Sequence, residues 1–402
     1  MMRYKKRLAQ PESEADAMTK QLKDTLNAIK SVDQLEVWLE GKLVGNLGMT
    51  DKYTCIFQYD SQYAENGESI SPFVLPISRD YFTADTLLFG GTFGVFADSL
   101  PDGWGNLVLD RYLEKHGINP HTLSVIERLS LIGSTGRGAL EYRPDNSVRG
   151  ALRPVDFDDL VRQVKELYQT KDCTEAKSNS INTIFHFSGS TGGARPKIFI
   201  TAEGQEWLVK FPASIDPDTV GVQEYEYSLL AKKCGIIMPE TRLFDGKYFG
   251  TQRFDRGEAG KVHTISAAGL LHVDYHLPTL DYSSLHVACL ELTKDIREVE
   301  QLFRVMVFNV VIGNCDDHAK NFSFQLKNGK WKLSPAYDLL PCHGMNGEHF
   351  TMIDGQGNPS REHLLNCGLE ASLDKDYMNS SIDEILDICH SENMARADLR
   401  VK

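Results

Sequence analysis

Apolar and polar positions alternate along much of the first half of the chain, which predicts strands joined by tight turns. The segment 35–49 has the pattern of a hairpin with its turn at Glu40-Gly41, and 53–60 is rich in aromatic and β-branched residues typical of a strand. Helical spacing appears next, over 104–117 and again over 154–168, where Asp residues in the first turns suit the helix dipole.

The second half changes from strands to helices. Residues 183–254 alternate predicted strands with turns, around one helix predicted over 222–235. Residues 297–313 are apolar on nearly every face, so this helix is expected in the core. A hairpin with its turn at Asn328-Gly329 follows, and the remaining C-terminal segment is expected to be mostly helical.

Composition places the chain among globular proteins. Its 402 residues include 41% apolar and 25% charged residues, which excludes a disordered, collagen-like or coiled-coil protein. This length predicts two to three domains, at about 150 residues each. With 43 Lys and Arg against 56 Asp and Glu, the net charge is -13, which argues against a surface that grips nucleic acid throughout.

Neither the cysteines nor the termini indicate export or a membrane. The eight cysteines form no CxxC pair, and reduced thiols of a cytoplasmic protein are expected. Residues 1–10 are basic but no apolar stretch follows, and the apolar stretch 305–313 is too short to span a bilayer. Residues 1–33 are polar, with Leu22, Leu26 and Ile29 on one helical stripe, and are expected to form an exposed or partner-docking helix.

A glycine-rich segment, SGSTGGARPK at 188–197, lies between two predicted strands. Small residues let backbone N–H groups approach a phosphate, although taken alone such a turn is more often structural. It is not a Walker A loop, because the GxxxxGK[ST] pattern is absent and a strand is expected after Lys197. The similar segment 133–140 lacks a Lys at that distance and is interpreted as a structural turn.

Lys210 is the single charged residue in the otherwise apolar segment WLVKFP. A buried Lys needs an anion, and the candidates are a nucleotide phosphate or Glu224 on the following helix. The alternative is an edge strand with Lys210 in solvent, and the segment alone does not separate the two.

The segment GNCDDHAKNF, directly after the apolar helix, is the most specific. Asp316 and Asn321 have the spacing of a kinase catalytic loop, in which the Asp receives or orients the hydroxyl and the Asn ligates Mg2+. Lys320 can offset charge on the transferring phosphate. Asp338 follows where a metal-binding Asp is expected, and hard oxygen ligands suit Mg2+. A transition-metal site is disfavoured because no second His or Cys set has ligand spacing.

These segments occur in the order found in protein kinases, and the chain resembles the HipA-type serine/threonine kinases, the toxins of bacterial toxin–antitoxin pairs. The resemblance covers about residues 35–345. It rests on SxxGARPK, VKFP, QRFDR, IGNCDDHAKNFSF and SPAYDLLP, and towards the N-terminus on WLEGKLVG, ISPFVLP and FADSLPDGWG.

The resemblance implies an α+β, protein-kinase-like bilobal fold with a β-rich N-terminal subdomain and a mostly helical C-terminal lobe. The expected divisions are a polar extension (1–33), the β-rich subdomain (34–147), a kinase N-lobe (148–254) and the helical C-lobe (255–402). The region after Asp338 is short for the family, so substrate and antitoxin docking could differ.

The resemblance also implies roles for individual residues. Asp316 and Lys320 would be catalytic, Asn321 and Asp338 would hold Mg2+, Glu224 would pair with Lys210, and Ser190 or Ser188 would be autophosphorylated. The nucleotide site would comprise Gly192, Gly193, Ala194, Arg195, Pro196, Lys197, Lys210, Gln252, Arg253, Phe254, His318, Asn321, Tyr337 and Asp338. For His318, a backbone hydrogen bond that merely holds the loop is an equally good interpretation.

The implied function is an ATP- and Mg2+-dependent protein kinase that phosphorylates a translation factor such as an aminoacyl-tRNA synthetase. Its partner would be a helix-turn-helix antitoxin, which would make the contacts to DNA. The alternatives are a catalytically weak kinase-like subunit of a repressor complex and a small-molecule kinase.

Overall fold

The computed structural model describes most of the chain after residue 31. The described residues are 32–50, 54–85, 87–147, 157–169, 184, 188, 191–213, 215–344, 346–397 and 399. The helix expected within 1–33 therefore lies outside the described residues, apart from Val32 and Asp33.

The first part of the chain forms a five-stranded antiparallel sheet of order β4-β3-β2-β1-β5. Its strands are β1 (Gln34–Leu39), β2 (Lys42–Met49), β3 (Cys55–Tyr59), β4 (Phe82–Thr83) and β5 (Leu140–Arg143). The predicted hairpin is present, and both turn residues have the positive φ that this turn needs, +51° at Glu40 and +76° at Gly41.

Helices accompany this sheet. They are α1 (Ser61–Asn66), α2 (Gly94–Ala97), α3 (Gly103–Lys115) and α4 (Val125–Ile132), followed by α5 (Phe157–Gln169). Helix α3 is the predicted helix from Trp104, and it ends before Gly117, which has a φ of +77°. Its buried residues Trp104, Val108 and Tyr112 pack in one apolar cluster with Ile198 and Val209 of the second sheet, so α3 anchors the first part of the chain to the second.

The second sheet is antiparallel with order β6-β7-β9-β8. Its strands are β6 (Lys197–Ala202), β7 (Gln205–Lys210), β8 (Thr241–Phe244) and β9 (Tyr248–Gln252). Helix α6 (Val220–Lys233) connects β7 to β8 and contacts β8 and β9.

The last part is built around helices. They are α7 (Ala267–Leu271), α8 (Tyr282–Thr293), α9 (Ile296–Ile312), α10 (Arg361–Glu370) and α11 (Lys375–Ser391). A ribbon, β10 (Arg256–Gly257) with β11 (Gly260–Lys261), precedes a sheet of β12 (His263–Ser266), β13 (Ser323–Lys327) and β14 (Lys330–Leu333).

Helix α9 is buried from Leu302 to Ile312 on every side, as its composition predicts, and it packs between α8 and α11. Gly313 ends the helix in the left-handed conformation (φ +66°) that glycine adopts without strain. The catalytic-loop motif therefore begins directly at the end of the most buried helix, which gives it a rigid base.

Candidate active site

Lys210, at the end of β7, is the centre of a buried charge cluster. Its ammonium group forms ion pairs with Glu224 of α6 and with Asp338. Strand β7 lies between β6 and β9, so the alternative of an edge strand with Lys210 in solvent is wrong. Burial alone would lower the pKa of Lys210, but the charges of Asp338 and Glu224 outweigh it and raise that pKa. Lys210 thus stays protonated inside the protein.

Lys197 lies directly opposite Lys210 in the β6–β7 register, and it is also buried. Burial, with the like charge of Lys210, lowers the pKa of Lys197. The two cations in turn hold the pKa of Asp338 well below its usual range, although burial acts the other way. Adjacent buried ammonium groups are suited to a polyanion such as a nucleotide phosphate chain.

The glycine-rich loop reaches this cluster from the start of β6. Gly193 has a φ of +81°, which favours glycine, and a Cβ at this position would lie 2.7 Å from Lys197 Nζ, so a larger residue would displace that ammonium group. Arg195 forms a two-bond ion pair with Asp216 at 2.9 and 3.1 Å. Gly192, Ala194 and Pro196 complete the loop.

One part of the loop prediction is wrong. The segment before the loop was expected to be a strand, but the two described positions there, Ile184 and Ser188, are helical, and β6 is the first strand of the sheet. Ile184 packs in the apolar cluster that contains α3. Ser188 is fully buried, and Ser190 lies outside the described residues.

The catalytic-loop motif follows Gly313. Asn321 Nδ2 donates to the backbone oxygen of Asp316 at 2.6 Å, which leaves Oδ1 as the atom that can ligate a cation. His318 Nδ1 accepts the backbone N–H of Lys320 at 3.3 Å and caps the short 3-10 turn Ala319–Asn321. The loop-holding interpretation of His318 thus has a hydrogen bond to support it.

Asp316 is the exposed acid of this motif. Desolvation raises its pKa, the charge of His318 lowers it, and the carboxylates of Asp338 and Asp317 raise it further, so the net direction is upward. The pKa of Asp316 is thus raised while the pKa of Asp338 is lowered, and such a divergence between two acids is found at catalytic sites.

Asp338 has a strained backbone, with a φ of +55°. Its backbone oxygen accepts a hydrogen bond from Asn314 Nδ2 at 3.2 Å. Asn314 also donates to Asn309 Oδ1 at 3.0 Å, and Asn309 donates to Tyr282 Oη at 3.1 Å. This chain of hydrogen bonds connects the backbone of Asp338, the candidate metal ligand, to Asn309 of α9 and Tyr282 of α8.

Asp317 ends that chain and is fully buried. Its Oδ2 accepts from Tyr282 Oη at 3.0 Å and from His349 Nδ1 at 2.8 Å. Its Oδ1 accepts the backbone N–H groups of Phe350 and Thr351 at 2.9 and 3.2 Å. The second Asp of the DDH motif is therefore a structural anchor beside the exposed first one.

Tyr337 fixes the other side of the loop. Its hydroxyl donates to the backbone oxygen of Lys320 at 2.6 Å and also contacts Ser323 Oγ at 2.6 Å. Arg137 Nη2 donates to both Tyr337 Oη, at 3.1 Å, and Ser323 Oγ, at 2.7 Å. Arg137, in the segment 133–140 that was interpreted from sequence as a structural turn, therefore supports the catalytic loop through Tyr337.

The three residues expected at the adenine hinge lie at the end of β9, with Gln252 its last residue and Arg253 and Phe254 directly after it. Gln252 donates to Gln205 at the exposed end of the strand. The Arg253 side chain is bound to Asp255 at 2.8 Å and to Glu206 at 3.2 Å, so it supports the fold at this position. The Phe254 ring lies 5.4 Å from the ring of Tyr337.

The donors fit a hard divalent cation of the kind that kinases use. Asp338 offers a carboxylate and Asn321 an amide oxygen, and Mg2+ in such sites typically takes only one or two protein carboxylates plus substrate phosphates. No group of three or more His, Cys, Asp or Glu side chains among the described residues is placed to hold a metal ion.

Comparison with known proteins gives the family. The HipA-like C-terminal domain matches residues 189–392, slightly more than half of the chain, and the HipA N-terminal domain matches 35–143. The chain belongs to the HipA family. This confirms the resemblance drawn from the motifs.

Two similar proteins are found in Sinorhizobium fredii (strain NBRC 101917 / NGR234). The one named "Putative kinase Y4dM" is 26% identical over 342 residues, 77% of each chain. The second, "Putative kinase Y4mE", is 24% identical over 346 residues, again 77% of each chain.

The fold of the chain matches a solved HipA structure. A chain in the Shewanella oneidensis MR-1 toxin–antitoxin structure of HipA, HipB and its operator DNA matches with a TM-score of 0.65. The match covers 90% of this chain and 92% of that one at 17% identity, and it bears on the fold alone. The predicted α+β, kinase-like fold is confirmed.

Four residues of this chain that help to build the site were not identified from the sequence: Asp102, Trp104, Arg137 and Asp317. Asp102 and Trp104 lie in the motif FADSLPDGWG, which contributed to the family resemblance but did not indicate a role in the site. Asp102, Trp104 and Arg137 reach the loops across large sequence separations that no local spacing encodes. Asp317 lies inside the catalytic-loop motif, but its partners Tyr282 and His349 are 35 and 32 residues away.

Proposed function

We propose that this HipA-family protein is a Mg-ATP-dependent serine/threonine protein kinase that acts as a toxin. The observation that carries the proposal is the ion-paired cluster of buried Lys210 and Glu224 with the partly exposed Asp338, which acts electrostatically on Asp316 of the catalytic-loop motif. An ion-paired Lys, a metal-type Asp and a catalytic-type Asp are the minimum set for phosphoryl transfer in kinases.

Each side chain has a role in this proposal. Lys197 and Lys210 bind phosphate oxygens of ATP, and the backbone around Gly193 covers them. Asp316 accepts the proton of the attacking hydroxyl or orients that hydroxyl, for which the exposed carboxylate must be ionised. Lys320 offsets charge that develops on the transferring group.

Mg2+ would be held by Asp338 and Asn321, and when bound it neutralises phosphate charge. The low pKa of Asp338 keeps that side chain ionised across the physiological range. The Asn321–Asp316 hydrogen bond fixes the orientation of the amide. Gln252 and Phe254 are proposed to border adenine, with Arg253 acting through the backbone.

Autophosphorylation at Ser190 or Ser188 would inactivate the enzyme. Ser188 Oγ is buried and accepts a hydrogen bond from Trp104 Nε1 at 3.1 Å. A phosphate carries about two negative charges, so at Ser188 it could not stay in this pocket and would displace the loop.

The partners follow from the family. The Shewanella oneidensis relative was solved with HipB and operator DNA. A helix-turn-helix antitoxin that contacts DNA on behalf of this acidic chain is therefore proposed, with a translation factor such as an aminoacyl-tRNA synthetase as substrate in the cytoplasm. No helix among the described residues has the length and apolar character required to cross a bilayer.

The test is phosphate transfer by the purified protein. With γ-labelled ATP and Mg2+, wild type should acquire label on loop serines, located by mass spectrometry. Asp316→Asn should acquire none. Asp110→Asn, which changes a partly exposed ion pair with Arg128 on helix α3, is the matched control and should be labelled like wild type.

The alternatives predict other outcomes. ATP binding without transfer to any protein would favour the kinase-like subunit of a repressor complex. Phosphorylation of a sugar or antibiotic, with no labelled protein, would favour a small-molecule kinase. Either result would overturn the proposal.

A further inference from the structure

Asp102 occupies an unusual position for a helix-capping residue. It is the residue before α3, where an Asp ordinarily accepts hydrogen bonds from the first N–H groups of its own helix. Here its side chain makes no such bond. Instead Oδ1 accepts the backbone N–H of Gly193, and Oδ2 accepts from Lys320 Nζ at 2.6 Å.

The two partners of Asp102 come from opposite sides of the candidate active site. Gly193 belongs to the glycine-rich loop and Lys320 to the catalytic loop. The Asp102 and Lys320 side chains are both largely buried, with 16% and 13% of their surface exposed, so this ion pair is shielded from solvent and salt. One carboxylate from the N-terminal part of the chain therefore joins the two loops.

The start of α3 adds a second set of contacts. The Trp104 backbone N–H donates to the Gly193 oxygen at 2.9 Å. Its indole Nε1 donates to the Lys197 oxygen at 3.0 Å. Asp102 and Trp104 thus hold the N–H and the oxygen of the same loop glycine.

Two glycines make this approach possible. A Cβ at Gly103 would lie 2.5 Å from the Gly193 oxygen, and a Cβ at Gly105 would overlap the oxygen of Thr191. The DGWG motif is explained by this fit, since the helix start and the loop touch backbone to backbone.

Lys320 is held on a second side by an aromatic ring. Its Nζ lies 4.0 Å from the ring centroid of Tyr275, a cation–π distance. With Asp102 on one side and Tyr275 on another, the ammonium group is fixed before any phosphate is present. An ammonium has three donors, so one remains available to a substrate oxygen while Asp102 uses another.

We propose that Asp102 is a positioning residue, through which the N-terminal part of the chain sets the glycine-rich loop and Lys320 for phosphoryl transfer. This inference rests on the proposed kinase function. The N-terminal part then belongs to the catalytic unit, and it does not serve only as a docking platform.

The kinetic test compares Asp102→Asn, Asp102→Ala and the control Asp110→Asn in the full chain. Asp102→Asn can still accept from Gly193 but loses its charge towards Lys320. Its kcat should fall about tenfold, the effect of one lost charge-assisted bond, with the KM for ATP changed less than about threefold. Asp102→Ala also releases the loop, so its KM for ATP should rise as well.

A second readout does not depend on catalysis. Hydrogen exchange of segment 191–197 in the nucleotide-free protein should accelerate in Asp102→Ala and remain as in wild type for Asp110→Asn. If wild type transfers no phosphate, the proposed function fails, while this exchange result still decides whether Asp102 holds the loop. Exchange unchanged in Asp102→Ala would overturn the loop contact. A kcat for Asp102→Asn equal to or above that of wild type would overturn the positioning role.

Discussion

Removing the charge of either neighbouring aspartate in the DDH motif should lower activity, but only the change at Asp317 should also lower stability. Asp317 is fully buried and accepts four hydrogen bonds, whereas Asp316 is exposed. In Asp317→Asn the amide oxygen can keep the two backbone N–H bonds. The amide nitrogen then faces Tyr282 and His349, which are themselves donors, so two charge-assisted bonds are lost.

The size of the effect follows from those two bonds. Each hydrogen bond to a charged group contributes about 1.5–3 kcal/mol, so the two lost bonds should lower the free energy of unfolding by about 3–6 kcal/mol. At roughly 2.1 cal/mol/K per residue, the unfolding entropy of the whole chain is about 0.8 kcal/mol/K. The melting temperature should then fall by about 4–7 °C.

Activity should fall too, for a positional reason. Asp317 ends the hydrogen-bond chain that runs through Asn309 and Asn314 to the Asp338 backbone, and it is bonded to Asp316 through the main chain. A shift of about 1 Å in such groups can cost about a hundredfold in rate.

The assay pairs thermal unfolding with phosphate transfer for both variants. Asp316→Asn should lose activity about a hundredfold or more while its melting temperature changes by less than about 1 °C, since surface substitutions rarely exceed 0.5 kcal/mol. If Asp317→Asn is as stable as Asp316→Asn, the assignment of Asp317 as the structural anchor is refuted.

Three further predictions concern the phosphate cluster and its pH dependence. Gly193→Ala should raise the KM for ATP by about tenfold or more, since its Cβ would meet Lys197 Nζ at a strained φ; wild-type kinetics would contradict the loop geometry. Glu224→Gln should slow phosphate transfer about tenfold, because Lys210 loses one of its two carboxylates; an unchanged kcat/KM would show that this ion pair is dispensable. As the pH is lowered, kcat/KM should begin to fall at a pH above about 4, the ordinary pKa of Asp, because Asp316 has a raised pKa and is protonated at a higher pH. A kcat/KM that stays constant down to about pH 4 would exclude Asp316 as the essential base.

The local elements were the most predictable part of the fold. The hairpin turns at Glu40-Gly41 and Asn328-Gly329 need positive φ, and the glycine in each turn, with Asn328 in the second, predicted this conformation. Helix α9 was predicted from its apolar faces to within one residue at each end. The failure before the glycine-rich loop has a physical cause: a short apolar run fits a strand or a buried helix equally well, and tertiary packing decides.

For the candidate site, too, residues in local motifs could be predicted and residues brought in by tertiary packing could not. Lys210, Glu224, Asp316 and Asp338 were selected as candidates from the sequence because kinases have such residues in a fixed order along the chain. Asp102 could not be found in this way. It meets Lys320 only through the packing of α3 against the second sheet, and no periodicity encodes that contact.

The proposed transfer of phosphate from ATP to protein hydroxyl groups is tested in the cell by a phosphoproteome taken after brief induction of wild type and of Asp316→Asn. New phosphoserine or phosphothreonine sites should appear on a small set of proteins, including the chain's own loop, and only with wild type. Identical phosphoproteomes from two equally expressed and folded proteins would contradict it.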